Sequence, residues 1–221
     1  DAQERQEAWD AIQTGWKVHE ESAAAIVNAL NGWRWEENKV RSHTRERHYL
    51  DVSCHQSRIK RETLEAIISS TYLKREVGHR ALAIMSKNLG IEKLGPWDLF
   101  APPVIAGEEE QLYEFPEAIS MIEEAFSAFD PEMGSFARMM YEKGWIDGKE
   151  SSNRTTGAYC TSLPKVKEPR VFITYKGSMD NIVTLAHELG HAYHNWVMRD
   201  LPFLDHHYSM TLAETASIFA E

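Results

Sequence analysis

Two histidines four residues apart, with a glutamate beside the first, form the pattern in this sequence best suited to chemistry. The segment reads His187-Glu188-Leu189-Gly190-His191. On an α-helix, residues i and i+4 differ in direction by only about 40°, so both imidazoles project from one face and can share one metal ion. Imidazole nitrogen suits zinc. Glu188 lies next to the first ligand, where its carboxylate can accept a proton from an attacking water and deliver it to a leaving amine.

A zinc site that does chemistry needs a third protein ligand and one open position. Glu214 is the candidate, because a short loop can fold the helix that carries it back against the first helix. A capping box is the alternative role, since Thr211 and Glu214 have the spacing in which the glutamate bonds a backbone N–H. His206 and His207, in the intervening loop, are rival ligands. Glu221 is equally compatible with holding a ligand histidine and with a solvated charge.

The surroundings of the motif favour a buried helix over a solvated one. Gly190 occupies the middle of the helical pattern, where it costs about 1 kcal/mol relative to alanine. A close approach by a neighbouring backbone or by a substrate would explain that cost. Ser178 or Asp180 can cap the start of this helix. Apolar residues form a stripe along one side of it: Ile182, Leu185, Ala186, Leu189, Tyr193 and Val197.

The elements that must position the motif are mainly helical, with one small antiparallel sheet directly before the motif helix. Residues 157–161 and 170–175 are rich in aromatic and β-branched side chains and predict its two strands. Apolar periodicity and helix-ending residues predict helices over 1–31 with a stop at Gly32, over 63–89 with a stop at Gly90, over 116–129 and over 131–143. We therefore divide the chain into a helical region, 1–149, and a region with the sheet and the zinc helices, 150–221.

Composition narrows the class of protein. The 221 residues carry a formal charge of −10, which disfavours a nucleic-acid surface because phosphate binding needs clustered lysine and arginine. Uninterrupted runs of apolar residues such as Ala23–Val27 are far too short to span a membrane. Two cysteines cannot form a disulfide framework, so a reducing environment is expected. Because the chain begins and ends within helical patterns, we expect it to be a piece of a longer polypeptide.

Taken together, the motifs resemble a known enzyme family. Residues 187–194 and Ala213-Glu214-Thr215-Ala216-Ser217 are similar to the oligoendopeptidase F branch of the M3 zinc peptidases, relatives of thimet oligopeptidase. The resemblance covers nearly the whole chain. It extends upstream through Leu50-Asp51-Val52, Trp97-Asp98-Leu99-Phe100-Ala101-Pro102, Gly144-Trp145-Ile146-Asp147 and Gly157-Ala158-Tyr159-Cys160.

The resemblance implies part of a clam-like, mostly helical zincin with a deep channel, which cuts internal bonds of short peptides in the cytoplasm. It implies one zinc per chain, bound by His187, His191 and Glu214, with Glu188 as the general base. It also implies that the segment Gly157-Ala158-Tyr159 pairs with a bound peptide backbone, by β-augmentation, and that His194 contacts substrate. We expect no nucleic-acid or membrane partner.

One departure leaves a second function open. The histidine and tyrosines that stabilise the oxyanion in this family come well after the glutamate ligand, beyond Glu221 in this numbering. The alternative function is therefore a non-catalytic fragment that binds peptide and zinc.

Overall fold

The computed structural model describes residues 1–101, 111–149, 151 and 153–221. It is mainly helical and falls into two compact units, Asp1–Gly107 and Glu108–Glu221. None of the helices in the described ranges is long and apolar enough to cross a membrane.

The first unit consists of helices. Its elements are α1 (Ala2–Lys17), α2 (Glu20–Val40), α3 (Asp51–Ser57), α4 (Arg61–Leu73), α5 (Arg75–Leu89) and a 3₁₀ turn (Pro96–Asp98).

The boundaries of these helices differ from the sequence-based prediction in two places. The single helix over 1–31 was wrong: the chain leaves helical geometry at His19 (φ −102°, ψ 0°), and α2 then continues through Gly32 to Val40. The helix over 63–89 is likewise two helices that meet at Lys74 (φ −96°, ψ 7°). Each joint is a small backbone rotation at one polar residue, which leaves the apolar periodicity almost unchanged. Gly90 does end α5, in the left-handed conformation at φ 67°.

The second unit contains the motif helix and the sheet. Its elements are α6 (Phe115–Phe129), α7 (Pro131–Glu142), β1 (Ile146–Asp147), β2 (Ala158–Leu163), β3 (Glu168–Ile173), α8 (Met179–Met198), a 3₁₀ turn (Phe203–His206) and α9 (Met210–Ala220).

The sheet is mixed, with strand order β1-β3-β2. β2 and β3 run antiparallel, with Ala158 opposite Ile173 and Leu163 opposite Glu168. The two predicted antiparallel strands are thus confirmed as β2 and β3, and a strand that was not predicted, β1, lies on the other side of β3 and runs parallel to it. A strand of two residues, Ile146 and Asp147, is too short to show the alternation by which strands are recognised in a sequence.

A single hydrophobic core holds this unit together, and it draws on both the helices and the sheet. Helices α6 and α7 pack against each other and against α8. The compact unit therefore begins well before residue 150, the boundary that we placed where strand-forming residues first appear in the sequence. Its most deeply buried side chains come from four elements: Ile119, Met140, Val171, Ile173, Leu185 and Leu189.

Candidate metal centre

Helix α8 presents the two motif histidines on one face while its opposite face lies in the core. Of the two predicted caps, Ser178 is the one used, and its side chain accepts a hydrogen bond from the N–H of Asn181. Leu185 and Leu189 are fully buried, which fixes the rotation of the helix about its axis. The imidazole rings of His187 and His191 then lie with their centroids 4.9 Å apart and nearly perpendicular.

Helix α9 folds back against α8, and Gly190 is where the two backbones meet. A Cβ atom at Gly190 would lie 2.7 Å from the Cβ of Ala220 and 2.8 Å from the carbonyl oxygen of Ala216. Real Cβ contacts are longer than this. The close neighbour that the mid-helix glycine implied is therefore α9.

This packing brings the carboxylate of Glu214 to the two histidines. Glu214 Oε2 lies 3.4 Å from His187 Nε2 and 3.7 Å from His191 Nε2. One donor atom from each of these three side chains lies within 4.8 Å of the others. In the described part of the chain no other three histidine, cysteine, aspartate or glutamate side chains meet in this way, so His206 and His207 take no part.

The capping-box alternative for Glu214 is wrong. The N-cap of α9 is Ser209, so Thr211 lies within the first turn of the helix and is not its cap. Instead of reaching back to a backbone N–H at the start of the helix, the Glu214 carboxylate lies beside the histidines of α8.

Ser217 of α9 and Glu221, which directly follows this helix, also contact the cluster. Ser217, which is fully buried, donates a hydrogen bond to Glu214 Oε2 at 2.9 Å. Glu221 Oε1 lies 2.6 Å from His187 Nδ1. Sequence reasoning had not selected Ser217. Its position three residues after Glu214, on the same face of the helix, could have predicted a contact between the two side chains.

The three converging atoms, one each from His187, His191 and Glu214, suit a divalent cation. An ionised carboxylate can only accept hydrogen bonds, so the contact with Glu221 requires His187 Nδ1 to carry the proton. The lone pair of a neutral His187 is then on Nε2, which faces Glu214 Oε2. Two nitrogens and one oxygen that converge as acceptors match the ligand set of zinc.

Glu188 is separate from the three acceptors and almost completely buried, at 7% exposed. Burial raises the pKa of its carboxyl group, and the negative charge of Glu214 raises it further. The charge of His187 and a hydrogen bond from the backbone of Cys160 act in the opposite direction on that pKa. Burial also lowers the pKa of His191, which favours the neutral imidazole that a metal needs.

The contact between Glu188 and Cys160 places the carboxylate at the edge of the sheet. The N–H of Thr174 donates a hydrogen bond to the carbonyl oxygen of Gly157. In an antiparallel pair, backbone groups of successive residues point alternately towards and away from the partner strand. The backbone groups of Tyr159 therefore point towards β3, and those of Ala158 and Cys160 point away from it. β2 is one of the two outer strands of the sheet, and its other side pairs with no strand in the described residues. Glu188 therefore lies at the edge of β2 that does not pair with β3.

The four residues predicted to bind substrate lie in two places. Ala158 and Tyr159 begin the edge strand β2, and Gly157 directly precedes it. The ring of Tyr159 is exposed and stacks on Phe172. His194 lies one turn beyond His191, with its ring against Tyr208, and it is not part of the three-residue cluster. The substrate contacts of all four residues stay predictions.

Comparison with known proteins identifies the family. The family model that describes peptidase family M3 matches residues 1–221. The chain belongs to peptidase family M3. Oligopeptidase PepF of Bacillus subtilis is 23% identical over 214 residues, which are 96% of this chain and 31% of that protein. The chromosomal oligoendopeptidase F of Lactococcus lactis is 26% identical over 140 residues, 63% of this chain and 23% of that protein.

These relatives confirm the resemblance to the oligoendopeptidase F branch. A solved structure of PZ peptidase A with an inhibitor superposes with a TM-score of 0.80 at 20% identity and covers 99% of this chain and 39% of that one. The M3 chain therefore has the fold of one part of a larger peptidase. It spans less than a third of the length of both curated relatives described above.

Proposed function

We propose that this M3 chain carries the zinc centre of an endopeptidase that hydrolyses internal bonds of short peptides. His187, His191 and Glu214 would hold one zinc ion, and Glu188 would be the general base. When bound, zinc supplies a Lewis acid that polarises the scissile carbonyl group and lowers the pKa of water. The observation that carries the proposal is the convergence of three acceptor atoms from α8 and α9.

Glu188 has the environment that a proton carrier needs. Its carboxylate is buried beside the cluster, and its pKa lies above the ordinary value for glutamate. A base whose pKa is closer to neutrality holds an abstracted proton better and still releases it to a leaving group. In the proposed reaction a Glu188 carboxylate oxygen takes a proton from the attacking water and passes it to the nitrogen of the leaving amine.

The edge of β2 suits the peptide. An extended peptide can add to an edge strand through backbone hydrogen bonds, which recognise any sequence. The outward-facing backbone groups of Ala158 would align such a peptide beside Glu188. This arrangement supports a substrate role for Gly157, Ala158 and Tyr159, and it fits substrates that are extended rather than folded.

The second candidate function is a peptide-binding and zinc-binding fragment without catalysis. The observation that favours it is that the chain matches less than a third of the length of these two relatives. The rest of those proteins can supply groups that the reaction needs. A cytoplasmic location, which the family resemblance implies, and the absence of nucleic-acid partners, which the acidic composition favours, remain predictions.

Metal content and peptide cleavage test these proposals. We expect about one zinc per chain by mass spectrometry for the wild type, and none retained by Glu214→Ala after the same dialysis. Equal zinc content in the two proteins would refute the ligand role of Glu214. Cleavage of a peptide blocked at both ends would support an endopeptidase. Binding of that peptide without cleavage would support the second function.

A further inference from the structure

Helix α9 carries a stripe of polar side chains that faces α8. The stripe consists of Glu214 and Ser217 within the helix and of Glu221 directly after its last residue, Ala220, and the spacing i, i+3 and i+7 keeps the three on one side. Ser217 contacts Glu214 itself, whereas Glu221 reaches across to His187 on the other helix. The C-terminal segment that supplies Glu214 therefore also contacts His187 at Nδ1, the ring nitrogen on the side away from Glu214.

The Glu221 carboxylate has a specific partner although its side chain is 39% exposed. The distance from its Oε1 to His187 Nδ1 is 2.6 Å, slightly shorter than the roughly 2.7–2.9 Å of charge-assisted hydrogen bonds from N–H groups to carboxylates. The carboxylate meets the nitrogen that points away from the cluster, while Nε2 of the same ring faces Glu214. A hydrogen bond at one ring nitrogen fixes both the tautomer and the orientation of the ring.

The two histidines of the cluster differ in this respect. His191 is the more enclosed of the two, with 18% of its side chain exposed against 25% for His187. Asn195 on the next turn of α8 donates a hydrogen bond to the backbone carbonyl of His191, not to its ring. Of the two cluster histidines, His187 is the one whose Nδ1 contacts a carboxylate within the described part of the chain.

We propose that Glu221 is a positioning residue: its carboxylate accepts the Nδ1 proton of His187 and thereby directs the Nε2 lone pair towards the position shared with His191 and Glu214. This inference rests on the proposed function, in which those three residues bind zinc. It resolves the two roles that the sequence left open for Glu221 in favour of a structural partner of the site.

The test compares Glu221→Ala, Glu221→Gln and a matched control, Glu124→Gln. Glu124 is exposed on α6 and its side chain forms no hydrogen bond or ion pair with any described residue, so its variant makes the same change of charge away from the cluster. The first readout is the histidine tautomer in metal-free protein, from ¹⁵N–¹H NMR at about pH 9, well above the usual histidine pKa. The second is zinc affinity, by competition with a chromophoric chelator.

We expect His187 to carry its proton on Nδ1 in the wild type and in the control, and to lose that preference in Glu221→Ala. Zinc affinity should fall by about 10–100-fold in Glu221→Ala, as for other partners that orient metal ligands. Glu221→Gln retains an acceptor oxygen, so it should lose less affinity than the alanine variant. Urea unfolding of the metal-free proteins identifies any variant that has simply lost its fold.

The results separate this inference from the proposed function. If the wild type binds zinc and Glu221→Ala binds it as tightly as the control, the positioning role is overturned and the zinc centre stands. The positioning role is also overturned if the tautomer of His187 is the same in Glu221→Ala and in the wild type. If the wild type binds no zinc, the proposed function fails, and the role of Glu221 fails with it.

Discussion

Replacing Gly190 by alanine tests whether the close contact between α8 and α9 positions the residues of the proposed metal centre. The added Cβ would lie 2.7 Å from the Cβ of Ala220 and 2.8 Å from the carbonyl oxygen of Ala216. Carbon atoms in contact are normally about 3.5–4.0 Å apart, so α9 must move away by about 1 Å. The obstructing atoms belong to the backbone and to a Cβ, and no rotation of a flexible side chain can relieve the clash.

Two opposing effects set the change in stability. Alanine favours a helix over glycine by about 1 kcal/mol, whereas overpacking a tight contact costs about 1–3 kcal/mol. We expect Gly190→Ala to lower the free energy of unfolding by about 0–2 kcal/mol. The effect on the metal should be larger, because sites lose function when their ligands move by more than about 0.5 Å. Zinc affinity should therefore fall by on the order of tenfold or more, through displacement of Glu214.

The assay pairs urea unfolding of metal-free protein with a competitive zinc titration. Gly78→Ala is the matched control, because a Cβ at this position in α5 meets no atom within 4 Å. The control should gain up to about 1 kcal/mol in the unit that contains it and bind zinc normally. If Gly190→Ala has equal or higher stability and unchanged zinc affinity, like the control, then the contact between α8 and α9 at Gly190 does not position Glu214 for zinc.

Two further predictions concern Glu188 and its neighbour. Glu188→Gln should keep its zinc but lose peptide cleavage by about 10²–10⁴-fold, and equal cleavage by mutant and parent would exclude the base role. Burial, and secondarily the charge of Glu188, raises the pKa of the Cys160 thiol to about 12. At pH 8, Cys160 in a Cys54→Ser background should react with iodoacetamide on the order of a thousandfold more slowly than a free thiol. Its rate should rise about tenfold per pH unit up to the raised pKa, and a plateau near pH 9 would contradict this.

The sequence predicted those elements whose signals are local. Proline and the Asp130 cap at the starts of α6 and α7, the apolar stripe of α8 and the left-handed Gly90 all depend on a few neighbouring residues. The prediction failed at His19 and Lys74, where a break in the helix leaves the apolar periodicity of the sequence almost unchanged. It also failed at β1, whose two residues form a strand only because β3 pairs with them.

The sequence by itself determined that two imidazoles and a glutamate share one region of a helix, because the period of an α-helix converts a spacing of four into a common face. It could not choose between a ligand, a cap and a loop histidine for the third position. The tertiary structure places Glu214 in that position, through the contact of Gly190 with α9 that brings Glu214, Ser217 and Glu221 to the same side of α8. Such contacts join residues more than twenty positions apart, and their geometry depends on how two helices pack rather than on either helix alone.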